Sequence, residues 1–144
     1  MKKALLVSAL LAVTTAVQAQ GYPNKPIRWI VPYTGGGLTD VVTRIVTQRM
    51  QAALGRAIVV ENKPGANSII GADLVAKSAP DGYGILTVIA AHAANATLYQ
   101  GKLPFDAVKS FIPFSLAGIA PLIMTANNNF PAKDARDLVA YAKA

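Results

Sequence analysis

In the first half of the chain, short apolar runs alternate with segments in which apolar residues recur every three or four positions. This pattern predicts alternating strands and helices. Residues 27–31 form a short apolar run that ends at Pro32, which predicts a buried strand. From Val41 to Leu54, apolar residues recur every three or four positions, which predicts an amphipathic helix. Gly55 follows directly and is well placed to end that helix.

The same alternation is repeated further along the chain. Residues 57–60 predict a second buried strand, and residues 85–90 predict a third. Between them, Ser68 is placed to cap a helix that runs to about Ala79. The apolar residues of this helix that we expect to face the core are Ile70, Leu74 and Val75.

This order of elements is typical of a parallel α/β sheet with right-handed crossovers. In such sheets, ligands bind beyond the carboxyl ends of the strands. Those ends are residues 32–40, 62–68 and 92–95, and we expect these three segments to converge on one site.

The pattern changes beyond Tyr99. Residues 111–117 and 122–126 are predicted to be extended, and residues 132–143 are predicted to form a short helix. The second half of the chain therefore does not continue the alternation of the first.

The three glycines before the first predicted helix could form an anion site. A phosphate-binding P-loop is excluded, because Gly37 is followed by Leu-Thr-Asp rather than Lys-Ser or Lys-Thr. A dinucleotide site is excluded as well, because it requires another glycine near Asp40. Backbone N–H groups at a helix N-terminus would still suit a carboxylate, and a Cβ at Gly36 or Gly37 would then be obstructive.

A purely structural interpretation of this loop stays open. It could be a tight turn from strand to helix, with Thr39 or Asp40 as the helix cap. The negative charge of Asp40 would repel an anionic ligand. Its expected role is therefore to brace the loop by accepting backbone N–H bonds.

Residues for catalysis or metal binding are scarce. The chain has no cysteine, which excludes a thiol nucleophile and a thiolate metal site, and its one histidine is His92. A catalytic histidine needs a nucleophile or a metal beside it, and no such partner is evident. We predict no catalytic residue, no metal site and no cofactor.

The first residues predict export from the cytoplasm. Lys2 and Lys3 precede an apolar run, and small or apolar residues lead up to Ala19, after which we expect signal-peptide cleavage. The run is shorter than the about 20 residues that a spanning helix needs. Residues 1–19 are thus predicted to be a signal peptide, and the mature protein to be periplasmic and not membrane-spanning.

The charge gives little reason to expect a nucleic-acid partner. Removal of Lys2 and Lys3 lowers the formal net charge from +7 to +5, and the remaining basic residues are spread along the chain without a run of three. A nucleic-acid-binding surface would concentrate them on one element.

Short motifs occur in a characteristic order along the chain. They are Tyr22-Pro23-x-Lys25-Pro26-Ile27-Arg28, Val31-Pro32-Tyr33, Gly36-Gly37-x-Thr39-Asp40, Val60-Glu61-Asn62-Lys63-Pro64-Gly65-Ala66, Ile70-Gly71-Ala72, Ala79-Pro80-Asp81-Gly82-Tyr83, Asn95-x-x-Leu98-Tyr99 and Leu103-Pro104-Phe105-Asp106. In this combination they resemble the Bug-type receptors, the periplasmic substrate-binding proteins of the tripartite tricarboxylate transporter family.

The resemblance implies a two-lobed fold like that of type II periplasmic binding proteins, closing over a small carboxylic acid. Residues 20–112 would form the first lobe, a parallel-sheet three-layer α/β domain. Residues 113–144 would form the hinge and the start of an incomplete second lobe that is largely missing. The implied partners are a carboxylate ligand and the membrane subunits of a tripartite transporter.

The resemblance also implies the ligand-binding residues. The family holds carboxylates with backbone N–H groups and ordered waters. The corresponding residues here are Tyr33, Gly36, Gly37, Thr39 and Asp40 in the first loop, Gly65, Ala66, Asn67 and Ile70 in the second, and Asn95 in the third. The chain departs from the family where Leu38 replaces a small residue and where Asn67-Ser68 replaces a glycine pair.

Two other functions are compatible with the sequence. The protein could be a periplasmic ligand sensor that presents its closed form to a signalling partner. It could also be an enzyme that uses the glycine loop as an oxyanion site, although no activated nucleophile accompanies that loop.

Overall fold

The computed structural model describes residues 21–144, so the predicted signal peptide and its cleavage after Ala19 lie outside the described residues. Within that range the chain forms three strands and four helices. In chain order they are β1 (Ile27–Val31), α1 (Leu38–Leu54), β2 (Ile58–Asn62), α2 (Ile69–Ala76), β3 (Gly84–Leu86), α3 (Ala90–Leu98) and α4 (Ala135–Lys143).

The three strands form one parallel sheet in the order β2-β1-β3. In the register, Ile27 is paired with Ile58, and Ile30 is paired with Leu86. The chain leaves β1 in one direction to form β2 and then crosses over β1 to form β3. Right-handed crossovers therefore place α1 and α2 on opposite faces of the sheet. The predicted α/β class with a parallel three-layer arrangement is confirmed.

The core lies mainly between the sheet and α1. Alternate residues of β1 point to this face, and they pack with one residue from each neighbouring strand. The buried residues of this cluster are Ile27, Trp29, Val31, Ile58 and Ile85. Ile30 points to the opposite face, where Ala72 of α2 is also buried.

The face of α1 that meets the sheet is more polar than the sequence pattern suggested. Thr43 and Thr47 are buried, whereas Val41 and Ile45 are 46% and 59% exposed. Thr43 donates a hydrogen bond of 3.0 Å to the hydroxyl of Thr87. The apolar period located the helix correctly, and its members Val46 and Met50 pack against the core. Thr43 and Thr47 are buried more fully still, because threonine can bury a methyl group while its hydroxyl bonds a neighbour.

The predictions for α2 need correction. The helix ends at Ala76 rather than near Ala79, and Ile70 and Leu74 are exposed instead of facing the core. Gly71 and Ala72 are its buried residues. The reason is the close approach of the helix to the sheet, which leaves room only for small side chains.

The third predicted strand is also shorter than expected. β3 ends at Leu86, and α3 begins at Ala90. As a result, residues 92–95 lie within a helix and not in a loop. The alanine-rich sequence of α3 favours a helix more strongly than an extended chain.

Residues 101–134 contain no helix or strand, and the predicted extended segments are not paired in a sheet. A strand needs the backbone of a neighbour, which nothing in residues 21–144 offers to these segments. Most of their apolar side chains are exposed, including Ile112, Phe114, Leu116, Ile119, Leu122 and Ile123. The residues from 21 to 144 also include no helix with the length and apolar character needed to cross a membrane.

Candidate functional site

Two loops at neighbouring strand ends form the candidate site. Loop A, residues 32–37, joins β1 to α1, and loop B, residues 63–68, joins β2 to α2. The helix α3 and the residue before it lie beside both of them. The backbone N–H of Ile89 donates to the hydroxyl of Tyr33 in loop A at 3.4 Å, and Asn95 is hydrogen-bonded to Asn67 in loop B. The convergence of the three strand ends is therefore confirmed, although the third segment is helical.

Loop A owes its shape to Gly36. This residue has a φ of +81°, in the left-handed region that side chains rarely adopt, whereas Gly37 has a φ of −72° that any residue can adopt. Gly37 occupies the N-cap position of α1 and has no side chain to cap the helix. Neither Thr39 nor Asp40 is the cap, so the structural alternative for this loop is wrong in that detail.

Asp40 braces loop A as predicted. Its buried carboxylate accepts hydrogen bonds from the Gly36 N–H at 2.9 Å, from Arg44 Nε at 3.0 Å and from Asn62 Nδ2 at 3.0 Å. The hydrogen bond from Arg44 is the main cause that lowers the pKa of Asp40 to about 2, followed by those from Gly36 and Asn62. The carboxylate is thus ionised at neutral pH, and its charge is matched by Arg44.

Loop B contains consecutive residues in the left-handed region. Their φ angles are 135° at Gly65, 45° at Ala66, 52° at Asn67 and 74° at Ser68. For residues other than glycine, this conformation costs on the order of 1 kcal/mol or more each. Such a run persists only where neighbouring groups hold it in place.

Asn95 is the residue that holds loop B. It is 2% exposed, donates from Nδ2 to the backbone oxygen of Asn67 at 2.7 Å, and accepts from Asn67 Nδ2 at 2.6 Å. Both functional groups of the Asn95 amide are thus engaged with one residue. The structure shows Asn95 as a support for loop B.

Ser68 stands out among the polar residues of the site. It occupies the N-cap position of α2 and is 2% exposed, yet its hydroxyl has no hydrogen-bond partner within residues 21–144. Its left-handed backbone prevents the capping bond that the sequence predicted. Sequence reasoning assigned Ser68 only a capping role, because nothing in the pattern reveals a positive φ at a serine.

The N-termini of α1 and α2 therefore keep free hydrogen-bonding capacity. The first turn of any helix leaves N–H groups without a partner inside the helix, and neither Gly37 nor Ser68 caps them through a side chain within the described range. Aligned N–H groups and the positive end of the helix dipole suit an anion.

The predicted site residues differ in accessibility. Asp40 and Asn95 are buried and engaged with the protein, whereas the others reach the surface wholly or in part. The accessible or half-buried group consists of Tyr33, Gly36, Gly37, Thr39, Gly65, Ala66, Asn67 and Ile70. Loops A and B thus provide a surface of backbone with few charged side chains.

His92 lies in α3 and is part of an aromatic cluster. Its ring lies 6.0 Å from Phe105 and 5.1 Å from Phe111 between centroids, and its Nε2 lies 3.0 Å from the backbone oxygen of Ala107. These contacts fit a packing role. In residues 21–144, no group of three histidine, cysteine or acidic residues is arranged to hold a metal ion.

Comparison with known proteins identifies the chain at the level of its family. Residues 42–144 match the family described as the tripartite tricarboxylate transporter family receptor, TctC. The chain belongs to this family. Among curated relatives, Protein BugT of Bordetella pertussis is 35% identical over 137 residues, which cover 94% of this chain and 42% of BugT. The chain therefore spans less than half the length of the relatives it matches.

Two solved structures have the same fold over the part that they match. The periplasmic binding protein BugD is 34% identical with a TM-score of 0.62, covering 85% of this chain and 40% of BugD. MatC from Rhodopseudomonas palustris with bound malate is 33% identical with a TM-score of 0.68, covering 85% of this chain and 42% of MatC. The expected fold of a periplasmic binding protein is confirmed for the part of the fold that the chain covers.

Proposed function

We propose that the protein is a periplasmic receptor that binds a small carboxylic acid without altering it. It delivers this ligand to the membrane subunits of a tripartite tricarboxylate transporter after export and cleavage behind Ala19. Its family membership supports this proposal, as do two related structures with dicarboxylates: MatC with malate, and a Rhodopseudomonas palustris protein with adipate that is 26% identical with a TM-score of 0.57.

The observation that carries the proposal is the pair of uncapped helix N-termini at adjacent strand ends. A carboxylate has two oxygens that accept several hydrogen bonds, and both loops offer N–H donors. The proposed contacts come from Tyr33, Gly37 and Thr39 in the first loop and its helix, and from Gly65, Ala66, Asn67 and Ile70 in the second loop and its helix. Gly36 would contact the ligand through its Cα, because its N–H is bonded to Asp40. Asp40 and Asn95 act indirectly, by holding these loops.

Ser68 is added to the proposed ligand contacts. A buried hydroxyl without a hydrogen-bond partner lowers stability by about 1–3 kcal/mol. A ligand oxygen that accepts a hydrogen bond from this hydroxyl would remove that cost. The residue lies at the N-terminus of α2, where the backbone N–H groups face the same way as the helix dipole. Its hydroxyl would strengthen carboxylate binding and would distinguish an oxygen acceptor from an apolar group.

The binding cleft is completed by a second lobe in this proposal. Residues 20–112 form the first lobe, and residues 113–144 form the hinge and the beginning of the second. Receptors of this kind bury most of the ligand surface by closing two lobes around it. Residues 20–144 alone should consequently bind a carboxylate much more weakly than a receptor with both lobes.

A calorimetric screen of the full-length receptor tests the proposal. Malate, adipate, short monocarboxylates and amino acids are titrated beside neutral sugars and simple cations, and the recovered ligand is checked for chemical change. We expect binding of at least one carboxylate, recovered intact. Binding only of sugars or cations, or conversion of the acid, would show that the proposal is wrong.

Two serine variants then locate the site. Ser68→Ala should weaken carboxylate binding about tenfold, the effect of losing one hydrogen bond to a charged group. Ser78→Ala is the matched control, because the Ser78 hydroxyl bonds the Val75 oxygen at the other end of α2. Equal affinities for the two variants would remove Ser68 from the site.

A further inference from the structure

The side chain of Asn62 connects the two loops of the site. Asn62 is the last residue of β2, so loop B begins at the next residue. Its Nδ2 donates to the backbone oxygen of Tyr33 at 3.1 Å and to Asp40 Oδ1 at 3.0 Å. Its Oδ1 accepts from Arg44 Nη2 at 3.0 Å. All three partners belong to loop A or to α1.

These bonds occupy the amide of Asn62. An asparagine side chain has two N–H donors, and both of them are engaged with loop A and α1. The amide also lies beneath the glycine run, since a Cβ added at Gly35 would be 3.5 Å from Asn62 Oδ1. Asn62 is therefore poorly placed to bind a ligand directly and well placed to fix loop A.

Backbone contacts extend the same connection. The N–H of Lys63, the first residue of loop B, donates to the Val31 oxygen at 2.9 Å, just before loop A begins. The sheet thus holds the starting points of both loops side by side. Asn62 carries this connection past the end of the sheet to Tyr33 and to the first turn of α1.

We propose that Asn62 is a positioning residue that holds loop A and loop B at a fixed separation, so that their N–H groups act on one carboxylate. This inference rests on the proposed function and deepens it, because it assigns the geometry of the site to a residue that does not touch the ligand. A neutral amide is required at this position, since it must donate to the Asp40 carboxylate and accept from the Arg44 guanidinium at once.

The chemistry of neighbouring groups supports this requirement. Asp40 is ionised over the physiological range, because hydrogen bonds from Arg44, Gly36 and Asn62 lower its pKa to about 2. A carboxylate in place of the amide would repel Asp40 and could not donate to the Tyr33 oxygen. An alanine would leave the Tyr33 oxygen and Asp40 with one donor fewer, without adding a charge.

The test compares Asn62→Asp and Asn62→Ala with Gln48→Ala in the full-length receptor. Gln48 is exposed on α1 and lies outside loops A and B, which makes it a control for the loss of an amide. The first measurement follows the Asp40 carboxyl group by carbon-13 NMR as pH is lowered. We expect a midpoint near 2 in the wild type and in Gln48→Ala, and a clearly higher midpoint in Asn62→Asp.

Hydrogen exchange and calorimetry complete the test. In Asn62→Ala, N–H groups of loop A and loop B should exchange faster together, while the later turns of α1 keep their protection. The affinity for malate or adipate, whichever the wild type binds, should fall about tenfold in Asn62→Ala. If Asn62→Asp does not fold, Asn62→Ala decides the question, because it introduces no charge.

The outcomes separate the two proposals. An unchanged Asp40 midpoint in folded Asn62→Asp, or unchanged loop exchange and affinity in Asn62→Ala, overturns the positioning role. If the wild type binds no acid, the proposed function fails. The Asp40 midpoint and loop exchange then still decide whether Asn62 couples the loops.

Discussion

The N-termini of α1 and α2 differ from that of α4 in how their N–H groups are satisfied. α4 begins after Asp134, whose carboxylate accepts from the N–H groups of Arg136 and Asp137 at 2.8 and 2.9 Å. α1 and α2 begin after Gly37 and Ser68, which cap nothing through a side chain within the described residues. In α4, the first-turn N–H groups have a side-chain acceptor at the N-cap. In α1 and α2, which begin at strand ends, the N-cap residue supplies no such acceptor.

The same helices differ in packing. An added Cβ at Gly71, in the first turn of α2, would lie 2.6 Å from Pro32 Cβ and 2.9 Å from the Lys63 oxygen. In α4, every residue stays at least partly exposed, and its aromatic contact is between Tyr141 and Phe130, 5.4 Å apart between centroids. The N-terminus of α2 is thus packed closely against the first residues of loops A and B, whereas α4 has no buried residue.

Supplying α1 with a cap should have the largest effect on binding. Gly37 has ordinary φ and ψ angles, and an added Cβ would meet only the Thr34 oxygen at 3.5 Å, so Gly37→Asp can be accommodated. Its carboxylate would occupy the N–H groups of the first turn and repel an anion. We expect carboxylate affinity, measured by calorimetry, to fall about a hundredfold, or about 2.7 kcal/mol.

Gly21→Asp is the matched control for that variant. Nothing lies within 4 Å of a Cβ at Gly21, and the residue lies outside both loops. It adds the same charge and should leave the affinity nearly unchanged. Equal affinities for Gly37→Asp and the wild type would mean that the first turn of α1 does not bind the ligand.

A larger side chain at Gly71, where α2 packs against the first residues of loops A and B, should have the next largest effect. Alanine is a better helix former than glycine by about 1 kcal/mol, which alone would make Gly71→Ala stabilising. The clash with Pro32 and with the backbone oxygen of Lys63 should outweigh this gain and lower stability by about 1–2 kcal/mol net. Denaturant unfolding, followed by the fluorescence of the buried Trp29, measures the change.

Gly21→Ala serves as the control for Gly71→Ala, because a Cβ at Gly21 meets nothing within 4 Å. It should change stability by only a few tenths of a kcal/mol. A Gly71→Ala variant as stable as the wild type would show that α2 can move away from the sheet at little cost. The difference in packing between α2 and α4 would then have little effect on stability.

Removing the cap of α4 should have the smallest effect. Asp134→Ala should destabilise this helix by about 1 kcal/mol, because two N–H groups lose their acceptor. Hydrogen exchange of the first turn of α4 should quicken, while carboxylate affinity stays the same. A loss of affinity in Asp134→Ala would show that the capped helix also takes part in binding.

The elements that local sequence determines were predicted well. β1 matches residue for residue, and α1 ends at Leu54 because Gly55 adopts the left-handed conformation that closes the helix. The buried face of α1 was predicted in part, because Val46 and Met50 pack against the core but Thr43 is buried more fully than either. In α2, close packing selects Gly71 and Ala72 over larger apolar neighbours. Local pattern cannot show how closely a helix approaches a sheet.

The site was predicted at the level of its loops, while the bonds within it were not. The glycine run located loop A, and Asp40 was correctly expected to brace it. The roles of Asn62 and Ser68 depend on a contact between residues 29 positions apart and on a positive φ at serine, respectively. The spacing of residues along the sequence reveals neither the long-range contact nor the positive φ.

The left-handed run of loop B has a consequence for the thermodynamics of binding. Its backbone is brought into an uncommon shape when the protein folds, and the paired amides of Asn67 and Asn95 keep it there. A ligand would then meet a template that is already rigid, and little further ordering of this backbone would oppose association. In the proposed receptor, such a template would select acids by the spacing of their oxygens and would adjust poorly to those that do not fit.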